Sequence, residues 1–165
     1  MYLIDANALI EAKNRYYAFD IAPGFWAWLD RAHELGVACS IDAVRDELLD
    51  GSDELADWAR ERKEFFRPVD GSATAQFGPL TSWVMSKDFT AAVKAGFTGD
   101  HADYLLVAYG KAHGHVVVTH ELSEPNRKNR VKIPDACMAL GVSFASPFEM
   151  LRASGATLEL PPDAE

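Results

Sequence analysis

The sequence predicts an α/β fold in which a parallel sheet is covered by helices on both faces. Three observations predict it. Short apolar runs at 2–5, 37–41, 115–119 and 141–145 alternate with longer segments of helical spacing, the pattern of strands buried on both faces. Gly and Pro punctuate the joins, as at Gly36 after an amphipathic segment and Pro134 at the start of another. The chain has 165 residues, 48% of them hydrophobic, enough to bury the core of one domain.

Each element follows from local chemistry. Tyr2-Leu3-Ile4-Asp5 is an apolar run ending in an acid, expected as a strand, and 6–12 is helix-prone. A helix is expected over 24–35, with Phe25, Trp26, Trp28, Leu29, Ala32 and Leu35 on its apolar face and Gly36 as its C-terminal stop. Trp26 reads as core. The helix is also a candidate dimer or partner face. Val37 to Ile41 is a second strand, and Asp42 is placed to cap a helix running to about Leu49. Residues 53–65 read as a helix ended by Phe66-Arg67-Pro68, and 67–100 as a loop leading to a helix over 80–94, closed by Gly96 and Gly99. A strong helix covers 101–113, and His115 to Thr119 is the clearest strand. A polar loop over 121–132 precedes a helix at Ile133–Leu140 with Pro134 in its first turn. Gly141 to Ala145 is the last strand, and Pro147 to Arg152 a final helical turn or two. One domain is expected over 1–152, then a loose tail over 153–165.

Composition excludes several classes. No stretch reaches the ~18 apolar residues of a membrane span. The N-terminal residues lack a basic region followed by an apolar one, so no secretory signal is expected and a cytoplasmic location is. Cys39 and Cys137 have apolar neighbours and no metal-type spacing, and read as two buried thiols. With 16 Lys and Arg against 25 Asp and Glu, the net charge is −9. A phosphate-bearing partner would therefore need a local basic patch or a bridging cation.

Ligands of parallel α/β sheets bind beyond the carboxyl ends of the strands. Asp5 ends the first run and Asn7 follows; Thr119 ends the Val-rich run and Glu121 follows. Glu47 shares a helical face with Val44 and Leu48, and Asp103 with Leu106 and Val107; Asp100 lies three residues before Asp103. Each acid also has a structural reading: Asp5 or Asp100 as a helix cap, Glu47 as an exposed acid beside an arginine, Glu121 as loop polarity. Their joint placement gives them weight. Carboxylates converging at one sheet edge repel one another unless protons or cations neutralise them. Oxygen ligands suit a hard cation such as Mg²⁺ or Mn²⁺.

The segments YLIDAN (Asp5, Asn7), AVRDEL (Glu47), ADYLLVAYGKAHG (Asp103) and VVVTHE (Thr119, Glu121) together resemble, in this order, the PIN-domain superfamily of metal-dependent ribonucleases. Ile133 to Cys137 matches a further pattern of a branch similar to VapC-type toxins, and the resemblance spans about residues 1–150. It implies a three-layer α/β/α sandwich with a central parallel β-sheet. It implies cleavage of single-stranded RNA with one or two Mg²⁺ or Mn²⁺ ions, an antitoxin partner, and often a homodimer. Asp5 and Asp103 would ligate metal directly. Glu47 would act through water or position the attacking water. Asn7 and Thr119 would orient the carboxylates, and Glu121 would be the fourth acid, where the family usually has Asp. Asp100 is either a further ligand or a cap. The segment 67–100 is longer than in compact toxins.

The loop Arg127-Lys128-Asn129-Arg130-Val131-Lys132 offers four cations beside Glu121. It reads either as a phosphate-tracking loop or as a solvated surface loop. Trp83, Phe77 and Tyr104 are candidates for base stacking, with core packing as the alternative role. Two other functions fit less well. A non-catalytic PIN-like protein-binding module would not need the acids. An Asp-nucleophile phosphatase usually needs an acid where Asn7 stands and a lysine where His120 follows Thr119.

Overall fold

A computed structural model of the chain describes residues 1–159. Strands β1 (Tyr2–Ile4), β2 (Ala38–Ile41), β3 (Phe66–Arg67), β4 (Val116–Val118) and β5 (Phe144–Ala145) form one sheet in the order β3-β2-β1-β4-β5. Every pairing is parallel: Leu3 lies opposite Cys39 on one side and Val117 on the other, Ser40 opposite Phe66, and Val118 opposite Ala145. Helices flank this sheet in a three-layer α/β/α arrangement. Leu3, Cys39, Ile41, Val117 and Val118 are wholly or almost wholly buried. That burial explains why the strands read as unbroken apolar runs.

The first crossover contains α1 (Ala6–Glu11), a π-turn at Ala12–Tyr16 and α2 (Pro23–Glu34). Gly36 takes φ +68 and its N–H reaches the His33 carbonyl, so it ends α2 as expected. Trp26 is buried and its indole donates to the Tyr17 carbonyl at 2.7 Å, while Trp28 is half-buried. The second crossover holds α3 (Asp42–Leu49), α4 (Glu54–Glu61) and a 3₁₀ turn at Lys63–Phe65. Asp42 is the first residue of α3 rather than its cap; Ile41, extended, precedes the helix. The expected helix over 53–65 is shorter, because Arg62 leaves helical geometry and the next apolar pair, Phe66–Arg67, pairs with β2.

The segment 67–100 holds three helices, not one. They are α5 (Gly71–Thr74), α6 (Phe77–Ser86) and α7 (Ala91–Phe97). The expected run over 80–94 breaks at 87–90, where Thr90 turns extended and its hydroxyl caps α7 by accepting from Val93 N. Helix α8 (Ala102–His113) packs against α3, α5, β4 and α9 (Ile133–Leu140). Gly110 makes that approach possible: a Cβ there would lie 3.0 Å from Val117 Cγ2 and 3.3 Å from Val142 Cγ1. Gly141, at φ +64, ends α9 instead of beginning a strand, so β5 is shorter than the expected 141–145. Helix α10 (Pro147–Ala153) opens on a capping box between Ser146 and Glu149. The expected tail over 153–165 is described as far as Glu159; the rest lies outside the described residues. Both cysteines are fully buried, as expected, and burial pushes their thiols up to about 11 for Cys39 and about 12 for Cys137. Among the described residues no helix is long and apolar enough to cross a membrane.

Candidate active site

In the order β3-β2-β1-β4-β5, the chain leaves β1 toward one edge and later returns to β4 on the other side. The carboxyl ends of β1 and β4 therefore border the crevice where such sheets bind ligands. Asp5 stands at the end of β1 and Thr119 at the end of β4, each nearly devoid of solvent exposure. The Asp5 backbone N–H donates to the Val118 carbonyl at 3.0 Å, carrying the ladder one residue past the strand. Its carboxylate accepts from the Thr119 hydroxyl at 3.0 Å through Oδ2 and from Asn7 N–H at 3.3 Å through Oδ1. Asp5 thus caps α1 as well as facing β4. Asn7 reaches it through the backbone N–H, so the orienting group at that position is the peptide.

Asp103, in the first turn of α8, is 7% exposed. His101 precedes the helix and accepts from the Asp103 backbone N–H at 3.3 Å, with its ring Nδ1 3.9 Å from Oδ2. The cap of α8 is therefore His101, whereas Asp100 stays exposed. Burial pushes Asp5 up to about 8, and the nearby charge of Asp103 adds to the rise. Asp103 is raised too, first by burial and then by Glu121, with His101, Arg130 and Lys132 pulling the other way. Asp5 and Asp103 are thus two buried carboxylates, each raised by burial and by a neighbouring acid, Asp103 in the case of Asp5 and Glu121 in the case of Asp103.

Glu121 behaves differently. Its backbone N–H donates to Thr119 Oγ1 at 3.1 Å. Its carboxylate accepts from Ile133 N–H at 2.9 Å and pairs with Arg130 at 2.7 Å and Lys132 at 3.4 Å. The longer side chain reaches the start of α9 and its neighbouring cations. Glu47 lies on the rim, exposed, although Val44 and Leu48 beside it are buried. It lines a 540 Å³ groove with Asp42, Asp46, Asp50, Asp100 and His101. Partial desolvation raises its carboxyl first, then Asp103. Its helical register therefore carries it toward Asp103 without carrying it into the core.

The donor set suits a hard cation. Asp5 and Asp103 supply two carboxylates, and Mg²⁺ commonly takes one or two together with several waters. Among the described residues no three His, Cys, Asp or Glu side chains converge on one point. The five predicted ligands are accordingly divided. Asp5 and Asp103 are buried, Glu121 is engaged by cations, and Glu47 and Asp100 line the outer groove. Arg130 and Lys132 partly neutralise the cluster.

All four loop cations are engaged by acids. Arg127 pairs with Glu124, Lys128 with Asp88, Arg130 with Glu121, and Lys132 with both Glu121 and Glu124. Asp135 anchors the same loop, accepting from Ser123 Oγ at 2.5 Å and Glu124 N–H at 3.0 Å. Of the aromatic candidates, Tyr104 is core: it is 2% exposed, and its hydroxyl bonds Thr81 at 2.8 Å and the Phe77 carbonyl at 3.1 Å. Phe77 packs on it and Trp83 packs on Phe89. His101 is the site residue missed; Arg130, expected beside Glu121 as a phosphate contact, pairs with Glu121 itself. The signal for His101 was its place between Asp100 and Asp103 at a helix start.

A family model described as Domain of unknown function (DUF4411) matches residues 2–158. The chain belongs to this family. The DUF4411 match takes in every element from β1 to α10, and with them all the acids at the sheet edge. No curated protein and no solved structure gives a significant match.

Proposed function

We propose that this DUF4411 chain is a PIN-like, metal-dependent endoribonuclease of single-stranded RNA, working in the cytoplasm as the toxin of a toxin–antitoxin pair. One observation carries the reading. Two buried carboxylates, Asp5 at the end of β1 and Asp103 at the start of α8, are both raised by burial, and the charge of Asp103 raises Asp5 further. Buried like charges are costly unless a proton or a cation compensates them. In this reading Asp5 and Asp103 hold Mg²⁺ or Mn²⁺, with Glu47 at the rim reaching it through water. A divalent cation held there supplies charge for the phosphate oxygens and lowers the pKa of water. Thr119 fixes the Asp5 rotamer, leaving its other oxygen to the Asn7 N–H and the crevice. Glu121, held by Arg130 and Lys132, sets the end of β4 against the start of α9. The antitoxin and a homodimer belong to the same proposal and rest on the sequence resemblance.

A second reading is a non-catalytic PIN-like binding module. The observation favouring it is the engagement of Glu121 by protein cations, which leaves fewer acids for metal. Cleavage of a mixed single-stranded RNA pool in Mg²⁺ or Mn²⁺ separates the two. The nuclease reading expects cleavage that stops in EDTA and in Asp5→Asn. A folded protein, free of antitoxin, that cleaves nothing supports the module.

A further inference from the structure

Three aromatic rings from distant parts of the chain meet at the carboxyl edge of the sheet. Tyr16 closes the π-turn after α1, His120 follows Thr119, and Phe148 stands in the first turn of α10. Tyr16 lies over His120 with ring centroids 5.2 Å apart and planes at 29°. Phe148 meets Tyr16 edge-on at 5.5 Å and 82°, and His120 at 6.2 Å and 69°. These are the offset and edge-to-face geometries that rings prefer.

The rings are not core. Tyr16 is 46% exposed and Phe148 37%, and His120 is half-buried. Tyr16 is the last residue of the π-turn and faces outward. Its neighbour Tyr17 folds inward to stack on Phe25, with centroids 4.3 Å apart and planes at 12°. The aromatic pair is split between core and surface, and the surface ring lands on His120. His120 lies between Thr119, which bonds Asp5, and Glu121, which bonds Thr119. The ring cluster and the buried carboxylates are thus held by one stretch of backbone, with successive Cα atoms about 3.8 Å apart.

Charge limits what a nucleic-acid strand can gain outside these rings. The chain carries −9, and the loop cations at 127–132 are already engaged by Glu121, Glu124 and Asp88. A nucleic-acid strand at the acids gains little from that loop. Stacking of bases on aromatic faces tolerates any sequence, because every base has a π-face. Arg152, exposed and four residues after Phe148, shares its face of α10.

We propose that Tyr16, His120 and Phe148 form a stacking platform for a nucleobase of single-stranded RNA, next to the phosphate that the acids would engage. The proposal rests on the ribonuclease reading and adds to it the subsite that selects single strands. A base in a duplex keeps its faces against its neighbours and cannot enter.

The test is binding of a short fluorescent single-stranded RNA, and of the same RNA annealed to its complement, to the full chain both in Ca²⁺, a hard divalent cation, and in EDTA. Cleavage in Mn²⁺ is followed in parallel. The Tyr16→Leu, Phe148→Leu double variant is expected to bind the single strand at least about fivefold more weakly. Its weak duplex binding, its melting temperature and its sedimentation are expected to stay those of the wild type. Tyr16→Trp is expected to keep full affinity. If the double variant melts lower, Tyr16→Leu alone, at an exposed position, repeats the test. Wild-type affinity in the ring variants, with cleavage intact, overturns the platform and leaves the nuclease reading standing. Ring-dependent binding without any cleavage keeps the platform and overturns the nuclease reading. No binding of the single strand by wild-type protein in either Ca²⁺ or EDTA overturns the platform. A change in sedimentation with unchanged RNA affinity also overturns it, and assigns the rings to a protein contact.

Discussion

The Thr119 hydroxyl donates to Asp5 Oδ2 at 3.0 Å across 114 residues of chain, in a place closed to solvent. Thr119 Oγ1 in turn accepts the Glu121 backbone N–H. One small side chain therefore ties the end of β1 to the end of β4 and to the loop beyond. Thr119→Val keeps the shape and removes both bonds. It is expected to cost about 1–3 kcal/mol, because a buried carboxylate and a part-buried N–H each lose a partner. Cleavage is expected to fall about 10- to 100-fold, the usual effect of removing a group that orients a ligand. Thr119→Ser is expected to retain most of both. Denaturant melts and single-turnover cleavage of the three proteins check it.

The raised carboxyl of Asp5 has a consequence for pH. Its folded value, about 8, lies above its ordinary value of 3.8, so the folded state binds the proton more tightly. Stability from this group is then greatest at low pH and declines as pH rises toward about 8. His115 and His120 are pulled down by burial, so their effect runs the opposite way and is complete above about pH 6.5. Asp53 and Asp70, held low by their hydrogen bonds, lose their contribution only in acid below about pH 4. The chelated protein is therefore expected to melt lower at about pH 8 than at about pH 6.5, and Asp5→Asn to flatten that decline. Thermal melts in EDTA decide it; an equal decline in Asp5→Asn contradicts the assignment.

Arg130 pairs with Glu121 and weakens the negative field at Asp103. Removing it leaves the acids more exposed to one another and more receptive to a cation. Arg130→Ala is expected to bind Mn²⁺ several-fold more tightly than wild type, with little loss of stability since Arg130 is about half exposed. Calorimetric titration reads the change. Unchanged or weaker binding would show that Arg130 does not compete with a cation.

Gly110 lets α8 lie on β4. Alanine gains about 1 kcal/mol of helix propensity, but its Cβ would meet Val117 Cγ2 at 3.0 Å and Val142 Cγ1 at 3.3 Å. Both valines are buried and packed, so neither moves freely. Overpacking outweighs propensity, and Gly110→Ala is expected to lose about 1–2 kcal/mol net. A lower denaturant midpoint with unchanged slope checks it.

The sequence made the sheet legible where apolar runs were unbroken, as at Tyr2–Ile4 and Val116–Val118. It hid β3, because Phe66–Arg67 is too short to show a period and follows directly on helical pattern. The break at 87–90 was hidden for a related reason: Thr90 is a cap only once the chain turns extended there. At the site, the burial of Asp5 and Asp103 was legible from their neighbours in strand and helix. Glu47 shared the spacing of core residues yet stays exposed, since α3 presents that flank to the groove. The pairing of Glu121 with Arg130 and Lys132 was not legible, because it depends on how loop 121–132 folds back. The platform residues Tyr16 and Phe148 gave no local signal; they meet only through the sheet order.

Calorimetric titration of Mn²⁺ into the wild-type chain and into the Asp5→Asn, Asp103→Asn double variant tests most directly whether those two acids hold a cation. Saturable binding by the wild type is predicted, with an affinity lowered at least about 100-fold in the folded double variant. A folded wild-type protein that binds no Mn²⁺, or a double variant that binds it equally well, would contradict a metal centre at Asp5 and Asp103.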